Sequence, residues 1–343
     1  MKIIITGGAG FVGARLAREL LQRGALNLRG QAAQHISSIV LADRISAPAD
    51  LAADPRISSE VGDLFDQLQS TPANLLARHA DAAAIFHMAA AVSGECEANF
   101  DLGMRSNYAT THALLESCRA LKTQPTVFFA SSIAVFGTTA HHAFPHEIVD
   151  TTLPTPQTSY GIQKLIGEQL MADYARKGFI RARTARLATV SVRAGQPNGA
   201  ASGFFSGMIR EPLKGIRCTV PVKPDVVHSL SSPGKTVEHI IACIETSDAD
   251  WGPVTALNLP AVPTTVGEMA ETLRLVAGDR VHAMLDWQID PAVERIVSGW
   301  PTRMGSPRAQ ALGMKPNTNF EEIVRSHIAE NHPEMNLLNS GNA

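Results

Sequence analysis

The first two dozen residues constrain the fold more than any other part of the chain. A β-branched run, Ile3 to Ile5, leads into glycines at positions 7, 10 and 13, and a helical stretch continues to Arg23. Glycines in a turn between a strand and a helix allow a pyrophosphate to approach the backbone at the helix N-terminus. This order therefore predicts a dinucleotide-binding βαβ unit. The predicted cofactor contacts of the turn are Gly7, Gly10, Phe11, Val12 and Gly13.

The end of the second predicted strand supplies the next constraint on the cofactor. Asp43 follows the apolar run Ile39 to Leu41 and stands 30 residues after Gly13. A carboxylate at this place accepts hydrogen bonds from ribose hydroxyls and repels a 2′-phosphate, so NAD is expected rather than NADP. Two alternatives stay open, since Arg44 could accept a 2′-phosphate and Asp43 could be an ordinary turn residue. Residues 25–38 are expected to form an extended loop that accommodates the long spacing.

Apolar runs that alternate with helical stretches predict the fold class. Such alternation is typical of βαβ units and a parallel sheet. We therefore expect an α/β fold: a Rossmann-type doubly wound parallel sheet with a smaller, mostly C-terminal substrate-binding subdomain. The predicted helices include Met104–Leu121 and Tyr160–Lys177. The predicted β-rich runs are 3–5, 39–41, 84–88, 127–130, 187–192 and 256–259.

A region rich in Pro and Gly interrupts this alternation and suggests a domain boundary. The predicted nucleotide-binding domain comprises residues 1–192 and about 226–258. The predicted substrate-binding subdomain comprises about 193–225 and 259–337. Residues 338–343 are expected to form a frayed tail.

Charge and composition argue against several classes of protein. The chain has 343 residues, with 30 basic and 32 acidic side chains, and no basic block that would favour nucleic acid or an anionic membrane. No apolar run approaches the ~18 residues of a membrane span, and no signal peptide is recognisable. The four cysteines and twelve histidines show no metal-ligand spacing, so no metal is expected. These features predict a cytoplasmic protein with free thiols.

Tyr160 and Lys164 form the strongest candidate for a catalytic pair. They are four residues apart in a predicted helix, and Tyr160 lies 28 residues after Ser132. Positions i and i+4 share one helix face, and a nearby cation lowers the pKa of a phenol, which is normally about 10. We therefore expect Lys164 to lower the pKa of Tyr160, so that Tyr160 can exchange a proton with a substrate hydroxyl. The same spacing also occurs on surface helices, and the glycine-rich N-terminus favours catalysis here.

The set of motifs resembles the extended short-chain dehydrogenases/reductases of the NAD-dependent epimerase/dehydratase family. The resemblance covers essentially the whole chain and implies direct hydride transfer to NAD. It implies that Tyr160 is the general base, that Lys164 holds the nicotinamide ribose, and that Ser132 hydrogen-bonds the substrate oxygen. It also implies a proton-relay role for Asn107 and a homodimer built from the two predicted long helices. Cofactor contacts implied outside the glycine-rich turn and Asp43 are Asp63, Leu64, Ala89, Ala90, Asn107, Tyr160 and Lys164.

A narrower set of segments is similar to the D-erythronate dehydrogenase family, whose members oxidise the C2 hydroxyl of a four-carbon sugar acid. The chain departs from that pattern at Ala188, Ala194 and Gly234, where Pro, Pro and Arg are expected. These differences leave the expected reaction type unchanged and concern the substrate. The matching segments are 91–94, 100–104, 131–137, 156–161, 196–202 and 209–213.

A sugar-acid substrate requires a partner for its carboxylate, and an arginine side chain can supply a bidentate contact. Arg193 and Arg210 are the candidates, although each could instead serve the fold. Ser93 and Asn198 are expected to bond substrate hydroxyls.

Three functions remain open from the sequence: a sugar-acid dehydrogenase, a nucleotide-sugar epimerase or dehydratase, and a cofactor-binding regulator without turnover. Four basic residues could contact the diphosphate that the second function requires: Arg186, Arg193, Lys214 and Arg217. The presence of Ser132, Tyr160 and Lys164 together favours an enzyme, and the dehydrogenase is preferred.

Overall fold

The computed structural model describes residues 1–139, 141, 143–195, 202–253 and 255–333. Its strands are, in chain order, β1 (Lys2–Thr6), β2 (Ala25–Leu26), β3 (Gln34–His35), β4 (Ser38–Asp43), β5 (Ile57–Val61), β6 (Ala82–His87), β7 (Thr126–Ser132), β8 (Arg181–Leu187), β9 (Thr189–Val190), β10 (Cys218–Val220), β11 (Val227–Ser231), β12 (Leu257–Asn258), β13 (Val262–Thr265) and β14 (Leu285–Trp287).

The α-helices are, in chain order, α1 (Phe11–Arg23), α2 (Ala49–Ala52), α3 (Leu64–Gln69), α4 (Leu75–Arg78), α5 (Ser93–Ala98), α6 (Phe100–Gly103), α7 (Thr110–Leu121), α8 (Ser159–Arg176), α9 (Gly203–Leu213), α10 (Pro233–Glu245), α11 (Asp248–Trp251), α12 (Val266–Ala277), α13 (Asp279–His282), α14 (Pro291–Ser298), α15 (Pro307–Ala311) and α16 (Phe320–Asn331). Short 3₁₀ turns span Leu28–Gly30 and Ile133–Val135, and a π-helical segment, Met104–Ala109, joins α6 to α7.

A seven-stranded parallel sheet in the order β12-β8-β7-β6-β1-β4-β5 confirms the predicted doubly wound α/β fold. The strand order reverses between β1 and β6, and ligands of such sheets bind beyond the carboxyl ends of the strands at that point. Side chains of β1 alternate between the two faces because successive residues of a strand point in opposite directions. Ile3 and Ile5 pack with α1 and α10, whereas Ile4 packs on the face covered by α7 and α8.

A third hydrophobic cluster forms the core of the smaller lobe, where Phe205, Leu273 and Val324 pack together. Strand β11 belongs here, since it pairs with β13 and β9 and its Leu230 lies in the same cluster. Helix α10 then returns to the large sheet. The predicted second segment of the nucleotide-binding domain, about 226–258, therefore divides near residue 232 in the structure, because β11 finds its strand partners in the smaller lobe.

Two elements differ from the sequence prediction for identifiable reasons. Strand β8 begins at Arg181, whereas the predicted β-rich run begins at 187. The prediction missed this start because β8 contains polar residues, of which Arg183 and Arg186 are buried with partners. Residues 25–38, predicted as an extended loop, form a short β2–β3 hairpin instead. An ion pair between Arg29 and Asp248 (2.8 Å) anchors this hairpin to the body of the molecule.

Two predicted segments lie beyond what the structure describes: the 338–343 tail and residues 196–201, which include Asn198. Among the helices of the described residues, none has the length and apolarity required to cross a membrane.

Candidate active site

The glycine-rich turn between β1 and α1 brings backbone against backbone. A Cβ atom on Gly13 would lie 2.1 Å from the carbonyl oxygen of Gly7, so only glycine fits there. Helix α1 begins at Phe11, and its N-cap residue, Gly10, has no side chain to cap it. The N–H groups of the first turn are therefore available. These features fit the pyrophosphate of a dinucleotide, which uses the uncapped N–H groups as donors.

The end of β4 forms the adenosine side of the same cleft. The Asp43 carboxylate accepts a hydrogen bond from the N–H of Ala9 (3.0 Å), which orients it beside the glycine-rich turn. Arg44 forms an ion pair with Asp63 (2.9 Å), and Arg105 approaches Asp63 from the other side (3.1 Å). The neighbouring cation that could have accepted a 2′-phosphate is thus paired with a carboxylate.

A cleft of about 1020 Å³ runs from this turn to the smaller lobe. Most residues that the sequence predicted for the site line it together. They are Gly7, Gly10, Phe11, Val12, Gly13, Asp43, Asp63, Leu64, Ala89, Ala90, Ser93, Ser132, Tyr160, Lys164 and Arg193.

Ser132, Tyr160 and Lys164 converge where β7 ends and α8 begins. A Cβ atom on Gly161 would lie 2.1 Å from the carbonyl oxygen of Ala134, so this glycine lets α8 approach the turn after Ser132. The Ser132 hydroxyl accepts from the N–H of Ala134 (3.1 Å) and lies near enough to the phenol of Tyr160 to affect its pKa. Lys164 Nζ donates to the carbonyl oxygen of Ala130 (2.8 Å) and lies 5.6 Å from the Tyr160 ring centroid.

The electrostatics of this group differ from the prediction. Burial raises the pKa of Tyr160 to about 12, and the two groups that act in the opposite direction are Ser132, by its hydrogen bond, and Arg193, by its charge. Burial also lowers the pKa of Lys164 to about 8. The predicted lowering of the Tyr160 pKa by Lys164 is therefore wrong in this structure, because burial outweighs the opposing effects of Ser132 and Arg193 and the Lys164 ammonium donates to a backbone carbonyl.

Asn107 lies behind the cleft wall rather than in it. Its side-chain oxygen accepts from the N–H of Ala91 (2.8 Å), and its nitrogen donates to Gln163 (2.8 Å). The structure therefore differs from the predicted cofactor contact and proton-relay role, since these hydrogen bonds use the amide to position the segment after β6.

Arg210 is also placed away from the cleft. It is buried, forms an ion pair with Glu211 (2.7 Å), and donates to the carbonyl oxygen of Arg193 (2.8 Å). The predicted carboxylate contact by Arg210 stays a prediction, and in this structure the guanidinium supports Arg193 through the backbone carbonyl of that residue. Arg193 itself lines the cleft, and its guanidinium donates to Ser202 (2.8 Å).

The structure adds cleft residues that the sequence analysis did not select. Thr189 and His228 share a hydrogen bond (2.7 Å), and Trp300 lies beside the His228 ring. No local pattern identifies these three residues, because they come from separate segments. Within the described ranges no group of three or more His, Cys, Asp or Glu side chains could hold a metal ion.

A buried ion pair supports the candidate catalytic residues. Glu168, one helical turn after Lys164, accepts a bidentate contact from Arg186 (2.9 and 2.8 Å). Glu168 also accepts a hydrogen bond from Ser131, the neighbour of Ser132. The carboxylate thus joins α8, β7 and β8 at the level of the active site.

The sequence matches a family model and two curated proteins over most of its length. The model of the NAD dependent epimerase/dehydratase family matches residues 3–227. The chain is 45% identical to D-erythronate dehydrogenase of Cupriavidus necator, over 96% of this chain and 98% of that protein. It is 35% identical to D-erythronate dehydrogenase of Haemophilus influenzae, over 96% and 99% of the two chains.

A solved structure of similar sequence carries a different name. The crystal structure of a nucleoside-diphosphate-sugar epimerase from Agrobacterium tumefaciens superposes with a TM-score of 0.87 at 36% identity. The alignment covers 96% of this chain and 94% of that one.

Proposed function

The chain belongs to the NAD-dependent epimerase/dehydratase family, and we propose that it is a dehydrogenase that oxidises the C2 hydroxyl of a small sugar acid to the 2-keto acid. D-erythronate, or an aldonate of similar length, is the proposed substrate. The two curated relatives are both named D-erythronate dehydrogenase. The identity and coverage of both alignments support its transfer to this chain.

The observation that carries the proposal is the placement of Arg193. Among the described cleft residues the arginine and lysine side chains are Arg44, Lys164 and Arg193. Arg44 is paired with Asp63 at the adenosine end, and Lys164 donates to a backbone carbonyl. Arg193 lies on the cleft wall with Tyr160, and its charge acts on that phenol, so we infer that its guanidinium is the partner of the substrate carboxylate.

The positions of the basic residues also disfavour a substrate with a diphosphate group. Arg186, one of the residues considered for that role, is buried against Glu168. Lys214 and Arg217 are exposed and lie outside the described cleft lining. Of the four basic residues considered for the diphosphate, Arg193 alone lies in the described cleft lining, and one guanidinium matches one carboxylate better than the two negative charges of a sugar nucleotide.

The proposed chemistry follows from the positions of the side chains. Tyr160 accepts the proton of the substrate hydroxyl, and Ser132 donates a hydrogen bond that holds the same oxygen in place. Arg193 binds the carboxylate and favours the deprotonated phenol. Lys164 holds the ribose next to the reacting carbon. NAD, when bound, supplies the hydride acceptor at its nicotinamide ring.

The test is NADH formation with a panel of four- to six-carbon aldonates that includes D-erythronate and L-threonate. We expect turnover with at least one four-carbon acid. The Tyr160→Phe variant should lose about 10²- to 10⁴-fold in kcat while its Kd for NADH stays within about twofold. Tyr108→Phe, which lies outside the cleft lining, is the matched control. Equal losses of NADH affinity and rate in Tyr160→Phe would contradict the proton-transfer role.

A nucleotide-sugar epimerase is the second candidate function, because the similar structure from Agrobacterium tumefaciens is named a nucleoside-diphosphate-sugar epimerase. It predicts interconversion of UDP-glucose and UDP-galactose without net NADH. Absence of NADH formation with every aldonate, together with such interconversion, would indicate an epimerase. Silence in both assays with tight NADH binding would instead select the regulatory protein without turnover.

We also propose a homodimer formed through the surfaces of α6 to α8. Phe100 and Ile162 expose 61% and 47% of their surface there, which an assembly of two copies would cover. Light scattering of the purified protein tests this, and a monomeric mass at micromolar concentration would refute it. A cytoplasmic location and a role in carbohydrate metabolism complete the proposal.

A further inference from the structure

His228 is a buried side chain with an unexplained polar atom. The residue is 1% exposed and lies in β11, where it also forms part of the cleft wall. One ring nitrogen, Nε2, is hydrogen-bonded to the hydroxyl of Thr189 (2.7 Å). The other, Nδ1, has no hydrogen-bond partner among the described residues. An unsatisfied buried polar atom destabilises a protein, so its presence in a cleft requires an explanation.

The ring is held rigidly in one orientation. It stacks parallel to Phe205, with centroids 4.7 Å apart and planes 5° apart, and lies 5.3 Å from the Trp300 ring. Thr189 restrains the ring through Nε2. A side chain restrained on its faces and at one nitrogen holds its remaining nitrogen in a fixed position, so a ligand group that reaches this nitrogen meets a pre-organised partner.

Thr189 places this ring close to the reacting groups along the sheet. Ser132 pairs with Leu187 at the ends of β7 and β8, and Thr189 follows two residues later. Thr189 is therefore two residues in the chain from the strand partner of Ser132. Both residues line the same cleft as Tyr160 and Arg193.

The chemistry of the ring indicates which group it can bind. Burial lowers the pKa of His228 to about 3, so the imidazole is neutral at pH 7. A neutral imidazole presents Nδ1 either as a donor or as an acceptor, according to which role Nε2 takes toward Thr189. A hydroxyl suits both cases because it donates and accepts, whereas a carboxylate suits only one. Arg193 already provides a cation for the carboxylate.

We propose that His228, oriented by Thr189, hydrogen-bonds a substrate hydroxyl beyond the reacting carbon and so selects polyhydroxy acids over simple 2-hydroxy acids. This inference rests on the proposed oxidation of a sugar acid. It assigns the two ends of the substrate: the carboxylate lies toward Arg193, and the hydroxylated chain lies toward the His228 ring.

The experiment compares two substrates in matched variants. The substrates are D-erythronate and the 2-hydroxybutanoate of the same C2 configuration, which lacks the later hydroxyls. In His228→Gln the polar atoms of the amide lie three bonds from Cβ, as Nε2 of histidine does, so they can replace Nε2 as the partner of Thr189. This variant has no polar atom in the position of Nδ1. His228→Asn places an amide two bonds from Cβ, in the position of Nδ1. His239→Gln is the control, since His239 is another buried histidine with an unpartnered Nδ1, outside the cleft lining.

Wild type should prefer D-erythronate in kcat/KM by at least about tenfold, the discrimination expected for one buried hydrogen bond. His228→Gln should lose about 10- to 100-fold in kcat/KM for D-erythronate, mainly through KM, and should change less than about threefold with 2-hydroxybutanoate. His228→Asn should retain more of the preference than His228→Gln. His239→Gln should keep the wild-type values.

Equal losses on both substrates would overturn the inference, because they would show that His228 only packs the wall. Unchanged kinetics in His228→Gln, or a wild type without preference for D-erythronate, would overturn it as well. Should His228→Gln not fold, Thr189→Val must show the same selective loss. A wild type that oxidises no hydroxy acid refutes the proposed function itself, whereas an active wild type with unaltered His228→Gln refutes only this inference.

Discussion

The ion pair between Glu168 and Arg186 offers a sharp test of how the site is supported. The two side chains expose only 6% (Arg186) and 2% (Glu168) of their surface. The guanidinium makes two contacts with the carboxylate and also lies 4.8 Å from the centroid of Phe136. Glu168→Gln keeps the shape of the side chain and removes its charge, which leaves the Arg186 cation buried without its counter-ion.

Breaking one partner of a buried pair typically costs about 3–5 kcal/mol, because the remaining charge stays desolvated. The near-complete burial of both groups places Glu168→Gln in that range. The double variant Glu168→Met/Arg186→Met removes both charges together, so we expect it to lose less than about 1 kcal/mol. The coupling energy comes from the double-mutant cycle of wild type, Glu168→Met, Arg186→Met and the double variant, with the free energies of unfolding taken from urea titrations and Glu168→Gln titrated alongside.

The exposed pair Glu321–Arg325 supplies the matched control, and Glu321→Gln should change stability by about 0.5 kcal/mol or less. A loss below about 1 kcal/mol in Glu168→Gln, or a double variant as unstable as the single one, would refute the reasoning. Catalysis provides a second readout, because the carboxylate also holds Ser131 beside Ser132. Glu168→Gln should therefore lower kcat more than it raises KM.

Three further predictions concern the cofactor and pH. Asp43→Ala should relax the preference for NAD over NADP, and an unchanged ratio of their kcat/KM values would show that Asp43 does not contact the ribose. Gly13→Ala should abolish NADH binding measured by fluorescence, since the added Cβ would lie 2.1 Å from a carbonyl oxygen of the turn. Burial lowers the pKa of His87 and His228 to about 3. The unfolded chain binds protons at these sites below about pH 6.5 and the folded chain does not, so stability falls as the pH decreases from 6.5 toward 3, by about 2 kcal/mol per histidine at pH 5. Urea titrations at pH 7 and 5 test this, and His87→Gln should reduce the loss whereas the exposed His146→Gln should not.

Features that depend on neighbouring residues were predictable from the sequence. Each of these features lies within one strand, turn or helix: the glycines from Gly7 to Gly13, Asp43, and the Tyr160–Lys164 spacing. The doubly wound sheet followed from the alternation of elements, and it is confirmed. The start of β8 was missed because its arginines look like surface residues until their partners Glu168 and Asp248 are known.

The sequence by itself determined the cofactor turn, the fold class and the chemistry available at the end of β7, because short-range geometry dictates each of them. Only the tertiary structure decided which of the two candidate arginines lines the cleft. Arg193 lies in the cleft wall, whereas the buried Arg210 donates to the backbone of Arg193. The tertiary structure likewise placed Asn107 behind the wall and His228 within it. The physical reason is that each of these orientations depends on contacts between segments far apart in the chain, which local patterns of residues do not encode.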